Sequence, residues 1–140
     1  MIEENRLSNP GVLIVDRNPV NIKLFGDLLK KHEMTCYGAT DYETFDAILD
    51  TKHEFILVLI DLAGFDEAIW ERCRTIHKRS IPLLIMSGRS DTGFQAEMVQ
   101  SGASGFLQKP ININSLLKII NSLVNHESPG PNTPVAGTKQ

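Results

Sequence analysis

Short apolar runs alternate along the chain with longer segments whose apolar residues return every three or four positions. "VLIV" (residues 12–15) has no polar alternation, as expected of a strand covered on both faces. The next segment, "NPVNIKLFGDLLKKH", sets Leu24, Phe25, Leu28 and Leu29 at helical spacing, with Pro19 at its start and Lys30 and Lys31 at its end. Proline in a first turn and cations in a last turn both favour a helix. "MTCYGA" is a weaker strand, and "TDYE" (residues 40–43) has capping-box spacing ahead of a helix with Phe45, Ile48 and Leu49 on one face. "FILVLI" (residues 55–60) is a second fully buried strand. The segment "DEAIWERCRTIHKR" then places Ile69, Trp70, Cys73 and Ile76 on one stripe. "IPLLIM" (residues 81–86) reads as the fourth strand, with Pro82 near its start. A short helix in "TGFQAEMVQSG" stops at Gly102, "GFLQ" is the fifth strand, and "NINSLLKIINSLV" turns Leu116, Leu117, Ile120 and Leu123 or Val124 inward.

A strand followed by a helix, repeated in this way, implies a parallel sheet with helices on both faces and right-handed connections. In such an open sheet, sites form beyond the carboxyl ends of the strands. The segment from Glu127 is rich in Pro, Gly and Ser/Thr and reads as a flexible tail or linker, as does the polar stretch of residues 1–9. The folded part is therefore expected over residues 10–126.

Composition narrows the field. With 140 residues there is room for one domain with a proper core. A net charge of −3 offers no basic stripe for nucleic acid or anionic lipid, and the longest apolar run is far too short to span a bilayer. The acidic, polar start "MIEENRLSNP" is not a secretory signal. Cys36 and Cys73 lie in apolar contexts and read as reduced packing thiols, so a cytoplasmic protein is expected. His32, His53, His77 and His126 lack ligand spacing and read as surface residues.

The strand ends carry the chemistry: Asp16 and Arg17 after strand one, Asp61 after strand three, Ser87 and Gly88 after strand four, Lys109 and Pro110 after strand five. A carboxylate can attack a phosphoryl group, and a hydroxyl and an ammonium can hold phosphate oxygens. A nucleotide-binding or enzymatic use of the same fold would need a glycine-rich loop after strand one, and "DRNPVN" has no glycine. "GASG" (residues 102–105) lacks the lysine–hydroxyl pair of a phosphate loop and reads as a turn.

Taken together, "VLIVDRNPVN", "LVLIDL", "LLIMSG" and "GFLQKP" resemble the receiver domain of two-component response regulators. The resemblance implies a flavodoxin-like α/β fold, a doubly wound parallel sheet of five strands in order 2-1-3-4-5 with five helices. It implies a signalling module rather than an enzyme. Asp61 would accept a phosphoryl group from a histidine kinase or phosphotransfer protein, and Asp16 and Asp61 would hold Mg²⁺ with the backbone carbonyl of Ala63. Ser87 would be the switch hydroxyl, Phe106 the aromatic switch, Gly88 the small residue that keeps the site open, and Lys109 the partner of acceptor and phosphate. Pro110 would follow a cis peptide bond, which X–Pro bonds reach more easily than others. Output would pass to a downstream protein partner, with no direct role for nucleic acid or membrane.

Two features depart from the family pattern. Arg17 stands where receivers carry a second acid, and a guanidinium offers no oxygen to Mg²⁺. At ~6 Å and an effective dielectric of ~40, the two-unit change in charge weakens a divalent cation by at most about 5 kcal/mol. The loop "DLAGFDE" is short and carries Gly64 and Phe65 in place of a Met-Pro pair. Two placements of Arg17 follow: reaching over Asp61 to neutralise the pocket without metal, or pointing to solvent. The first would make the chain a pseudo-receiver, an interaction module independent of phosphorylation.

Overall fold

The computed structural model describes residues 11–51, 54–89 and 91–124. The chain runs β1 (Gly11–Val15), α1 (Pro19–Lys30), β2 (Thr35–Ala39), α2 (Tyr42–Leu49), β3 (Phe55–Asp61), α3 (Ala68–Lys78), β4 (Leu83–Ser87), α4 (Thr92–Ser101), β5 (Gly105–Gln108) and α5 (Ile113–Val124). The strands form one parallel sheet in order β2-β1-β3-β4-β5. This is the flavodoxin-like (βα)5 arrangement expected from the alternation of elements. The tails expected at residues 1–9 and 127–140 lie outside the described residues, as do His53 and His126. No helix among the described residues is long and apolar enough to cross a membrane.

The uninterrupted apolar runs have a simple cause. Successive side chains of a strand point to opposite faces, so a strand covered on both faces must be apolar at every position. Leu13, Val15, Val58, Ile60, Leu83 and Ile85 face one core with Phe45, Ile69, Trp70, Cys73, Ile76, Phe94 and Phe106. Val12, Ile14, Leu57, Leu59, Leu84 and Met86 face the other with Leu29, Leu116 and Ile120. Helices α2, α3 and α4 thus cover one side, and α1 and α5 the other. Cys73 is fully buried, which pushes its thiol up to about 12, and burial raises half-buried Cys36 in the same direction. Both are free thiols.

Local chemistry sets the helix ends, with small corrections. Asn18 caps α1 by accepting from the Val20 N–H at 2.9 Å, with Pro19 in the first turn. The cap of α2 is Asp41, one residue later than the expected Thr40; its carboxylate accepts from the Thr44 N–H at 2.8 Å. Asp91 caps α4, and Gly102, at φ 82°, ends it in the left-handed region that glycine adopts without strain. Strand β4 begins at Leu83, leaving Pro82 just outside, where its carbonyl accepts from the Val58 N–H at 2.9 Å. Leu24 is 62% exposed: the buried stripe of α1 runs through Ile22, Phe25, Leu28 and Leu29 instead. His32 and His77 are exposed, as expected.

Candidate functional site

The carboxyl ends of β1, β3, β4 and β5 meet at one rim. The apolar run of each central strand carries its last residues to the edge of the sheet, so the next polar residue emerges there half-shielded. Asp16 is 3% exposed, Asp61 2% and Ser87 5%, the two buried acids and one buried hydroxyl of the expected site. A cleft of about 550 Å³ gathers Asp16, Arg17, Asn21, Asp61, Gly64 and Lys109 along its walls.

Asp61 is held from two sides. Lys109 Nζ lies 2.6 Å from Asp61 Oδ2, and the Ala63 N–H donates to Oδ1 at 3.0 Å. The lysine is placed by the strand pairing itself, because its own N–H donates to the Ser87 carbonyl at 2.8 Å. The bond between Lys109 and Pro110 is cis, as the resemblance implied.

Asp16 is held from one side only. Its Oδ1 accepts from the Asn18 N–H at 2.8 Å and from the Asn21 side-chain amide at 3.5 Å. Its Oδ2 is buried and has no hydrogen-bond partner among the described residues. Burial above all, and then the charge of Asp61, push the Asp16 carboxyl above its ordinary value of 3.8, against the pull of the Asn18 N–H.

This donor set suits a hard divalent cation. Mg²⁺ binds through one or two carboxylates, keeps several waters and takes phosphate oxygens for the remainder. An orphaned anionic oxygen beside a second buried acid is that arrangement. No cluster of three metal-ligating side chains occurs among the described residues. At the rim of the same cleft stands the Arg17 guanidinium. It donates to the Thr40 carbonyl at 3.2 Å and lies 5.6 Å from the centre of the Phe65 ring. The cation that meets Asp61 is Lys109, and the exposed Arg17 side chain makes its contacts with Thr40 and Phe65.

Ser87 opens on a neighbouring cavity of about 390 Å³, which shares Ala63 and Gly64 with the first and is floored by Phe65, Trp70 and Phe94. Its hydroxyl accepts from the Arg89 N–H at 3.0 Å. Among the described residues nothing lies within 4 Å of a Cβ built on Gly88, which leaves this corner open. Phe106 sits beneath, its ring 5.5 Å from Phe94, which is in turn 6.0 Å from Trp70. The aromatic row joins β5, α4 and α3 under the hydroxyl. Sequence reasoning did not foresee Asn21, Tyr42 or Arg72 near the site; the partners of Tyr42 and Arg72 come from distant segments and leave no local pattern.

The response regulator receiver domain model matches residues 12–121. Response regulator protein GraR of Staphylococcus haemolyticus (strain JCSC1435) is 30% identical over 99 residues, 67% of this chain and 43% of its own length. The chain therefore spans less than half the length of the curated relatives it matches. A response regulator receiver protein from Pseudomonas putida superposes with a TM-score of 0.72 at 29% identity, over 85% of this chain and 98% of that one. A CheY-like receiver domain protein from Methanospirillum hungatei JF-1 gives 0.76 at 21% identity, over 85% and 96%, a likeness of fold.

Proposed function

The chain belongs to the response regulator receiver domain family, and on that premise we propose that it accepts a phosphoryl group on Asp61 from the phosphohistidine of a histidine kinase or phosphotransfer protein. The observation that carries this reading is the buried Asp61 carboxylate with the Lys109 ammonium 2.6 Å away. A carboxylate oxygen attacks phosphorus, the phosphorus–nitrogen bond breaks, and the imidazole leaves with its electron pair and takes a proton. The product is an acyl phosphate. Lys109 neutralises charge on acceptor and phosphoryl group, and the Ala63 N–H orients the carboxylate. A divalent cation held by Asp16 and Asp61 would offset the charge of the transferring phosphoryl oxygens.

Phosphorylation then biases the face near β4 and β5. Ser87 leaves the Arg89 N–H for the phosphoryl oxygens, and Phe106 follows the space it vacates. Two conformers of one packed region change population, and a downstream protein reads the difference. Residues 10–126 form the receiver unit in this reading.

One observation favours a second reading, the phosphorylation-independent interaction module: the third acid of the cleft is replaced by Arg17. The buried Asp61 and Ser87, with Lys109 at the acid, weigh against it, since an inert face has no use for them. Acetyl phosphate with millimolar Mg²⁺, followed by intact mass, decides. A gain of one phosphoryl group on Asp61 supports the first reading. No gain in wild type, and none restored by Arg17→Asp, rejects it.

A further inference from the structure

Residue 17 offers no oxygen to a cation, yet its side chain ties several segments together at the rim. Its stem packs on Gly64: a Cβ built there would lie 3.0 Å from Arg17 Cγ, and Gly64 sits at φ 84°, where side chains are strained anyway. Its guanidinium bonds the Thr40 carbonyl and covers Phe65. The Phe65 ring packs on Tyr42 with centres 5.4 Å apart. Tyr42 in turn carries the Arg72 guanidinium 4.0 Å over its ring, and Asp46 holds that guanidinium by two bonds of 2.9 and 2.7 Å. The row Arg17–Phe65–Tyr42–Arg72 alternates cation, ring, ring, cation across the end of β1, the loop after β3, and helices α2 and α3.

A further bond locks the same loop. The Tyr42 hydroxyl donates to Asp66 Oδ1 at 2.7 Å, and that oxygen also accepts from the Ala68 N–H at 3.0 Å in the first turn of α3. Glu67, at the cap position of α3, makes no side-chain cap bond, so Asp66 supplies what the helix start needs. Residues 64, 65 and 66 are therefore gripped in order by Arg17, by Arg17 with Tyr42, and by Tyr42. Immediately before them stands Ala63, whose N–H orients Asp61.

We infer that Arg17 is a positioning residue for the loop after Asp61, acting through Phe65 and the stacked row rather than through its charge on the cleft. The functional consequence rests on the phosphoacceptor reading; the geometry does not. In this protein the loop that presents the Ala63 N–H is ordered from its outer side by a cation that has displaced a metal ligand. Guanidinium suits that task better than ammonium, because a planar group can stack on a ring while its edge bonds a carbonyl.

The test uses the full, unphosphorylated chain and two readouts. Hydrogen–deuterium exchange reports the amides of residues 62–67, and acetyl phosphate labelling at fixed Mg²⁺ reports the acceptor. Arg17→Gln and Phe65→Leu should each speed exchange in that loop about three- to tenfold, leaving the central strands unchanged. Both should slow labelling to a similar degree, although Phe65→Leu alters no charge. Arg17→Lys, which keeps the charge, should not return loop exchange to the wild-type rate. The inference is overturned if Phe65→Leu exchanges like wild type, or if Arg17→Lys matches wild type while Arg17→Gln changes labelling alone. Failure of wild type to be labelled at all would sink the phosphoacceptor reading and leave the exchange result to decide the role of Arg17.

Discussion

The two flanks of Asp61 are completed to different degrees. Toward β4 and β5, Lys109 meets the acceptor carboxylate, Ser87 meets the Arg89 N–H, and an aromatic row fills the space beneath. Toward β1, Asp16 keeps one buried oxygen with no partner, and the neighbouring cation turns to Thr40 and Phe65. A buried anionic oxygen without a donor costs stability, and folded proteins rarely keep one. One flank is satisfied within the protein, while the other leaves an anionic oxygen without a donor among the described residues. That contrast assigns different jobs to residues that look alike in sequence: Asp16 and Asp61 both end apolar strands, yet only Asp61 has its cation.

The largest effect should come from removing the acid between the flanks. Asp61→Asn should abolish labelling by acetyl phosphate at every Mg²⁺ concentration, read as intact mass. Labelling that persisted on Asp16 would break the comparison, because the unsatisfied flank would then hold the acceptor. Next in size is the satisfied flank's packing. Phe94 is 1% exposed between Trp70 and Phe106, and Phe94→Ala should cost about 3 kcal/mol in urea unfolding, with Trp70 emission shifted to the red. A cost under about 1 kcal/mol would mean that the aromatic row is not a packed unit.

Much of this molecule could be read before its coordinates, and the legible parts share a cause. Strands buried on both faces must be apolar throughout, so "VLIV", "FILVLI" and "LLIM" marked the sheet, and the first polar residues beyond them, Asp16, Asp61 and Ser87, marked the rim. That Lys109 and Asp61 share one edge follows from the same topology, while their pairing was implied by the resemblance to receiver domains. Leu24 was misplaced because helical spacing fixes a stripe but not its width; α1 is covered from one side, and the stripe through Ile22, Phe25 and Leu29 leaves Leu24 outside. The position of Arg17 was not legible at all. Its partners, Thr40 and Phe65, come from other loops, and no local pattern in "VDRNPVN" encodes a ring that arrives after β3.

A smaller effect sharpens the unsatisfied flank. Asp16 titrates above its ordinary value of 3.8 in the folded chain, chiefly because it is buried. A raised folded value means that the native state binds the proton more tightly than the unfolded chain does. The stability this provides is complete below about pH 3.8 and is lost as pH rises through the higher folded value. At neutral pH the ionised group is thus a burden, and Asp16→Asn should raise stability by about 1 kcal/mol there. It should also flatten the dependence of urea unfolding on pH above about 3.8, the side on which a raised value acts. Millimolar Mg²⁺ should stabilise wild type and have little effect on Asp16→Asn. A variant less stable than wild type at pH 7 would mean that Asp16 Oδ2 is satisfied in solution and that no site waits there.

The smallest effect on stability should come from Ser87, and its smallness is informative. The hydroxyl is buried, but the bond it accepts comes from the N–H of Arg89, an exposed residue that water can serve instead. Ser87→Ala should therefore cost no more than about 0.5–1 kcal/mol in the unmodified protein. A hydroxyl so lightly held can leave its donor at little expense, which is what a group that must move to a new phosphoryl oxygen requires. Beryllofluoride with Mg²⁺ should change Trp70 fluorescence in wild type through the cavity that Ser87 and Trp70 share, and the change should shrink in Ser87→Ala while labelling of Asp61 persists. An undiminished change would place the coupling elsewhere on this flank, in Lys109 and β5, and leave Ser87 as a turn residue that happens to face the site.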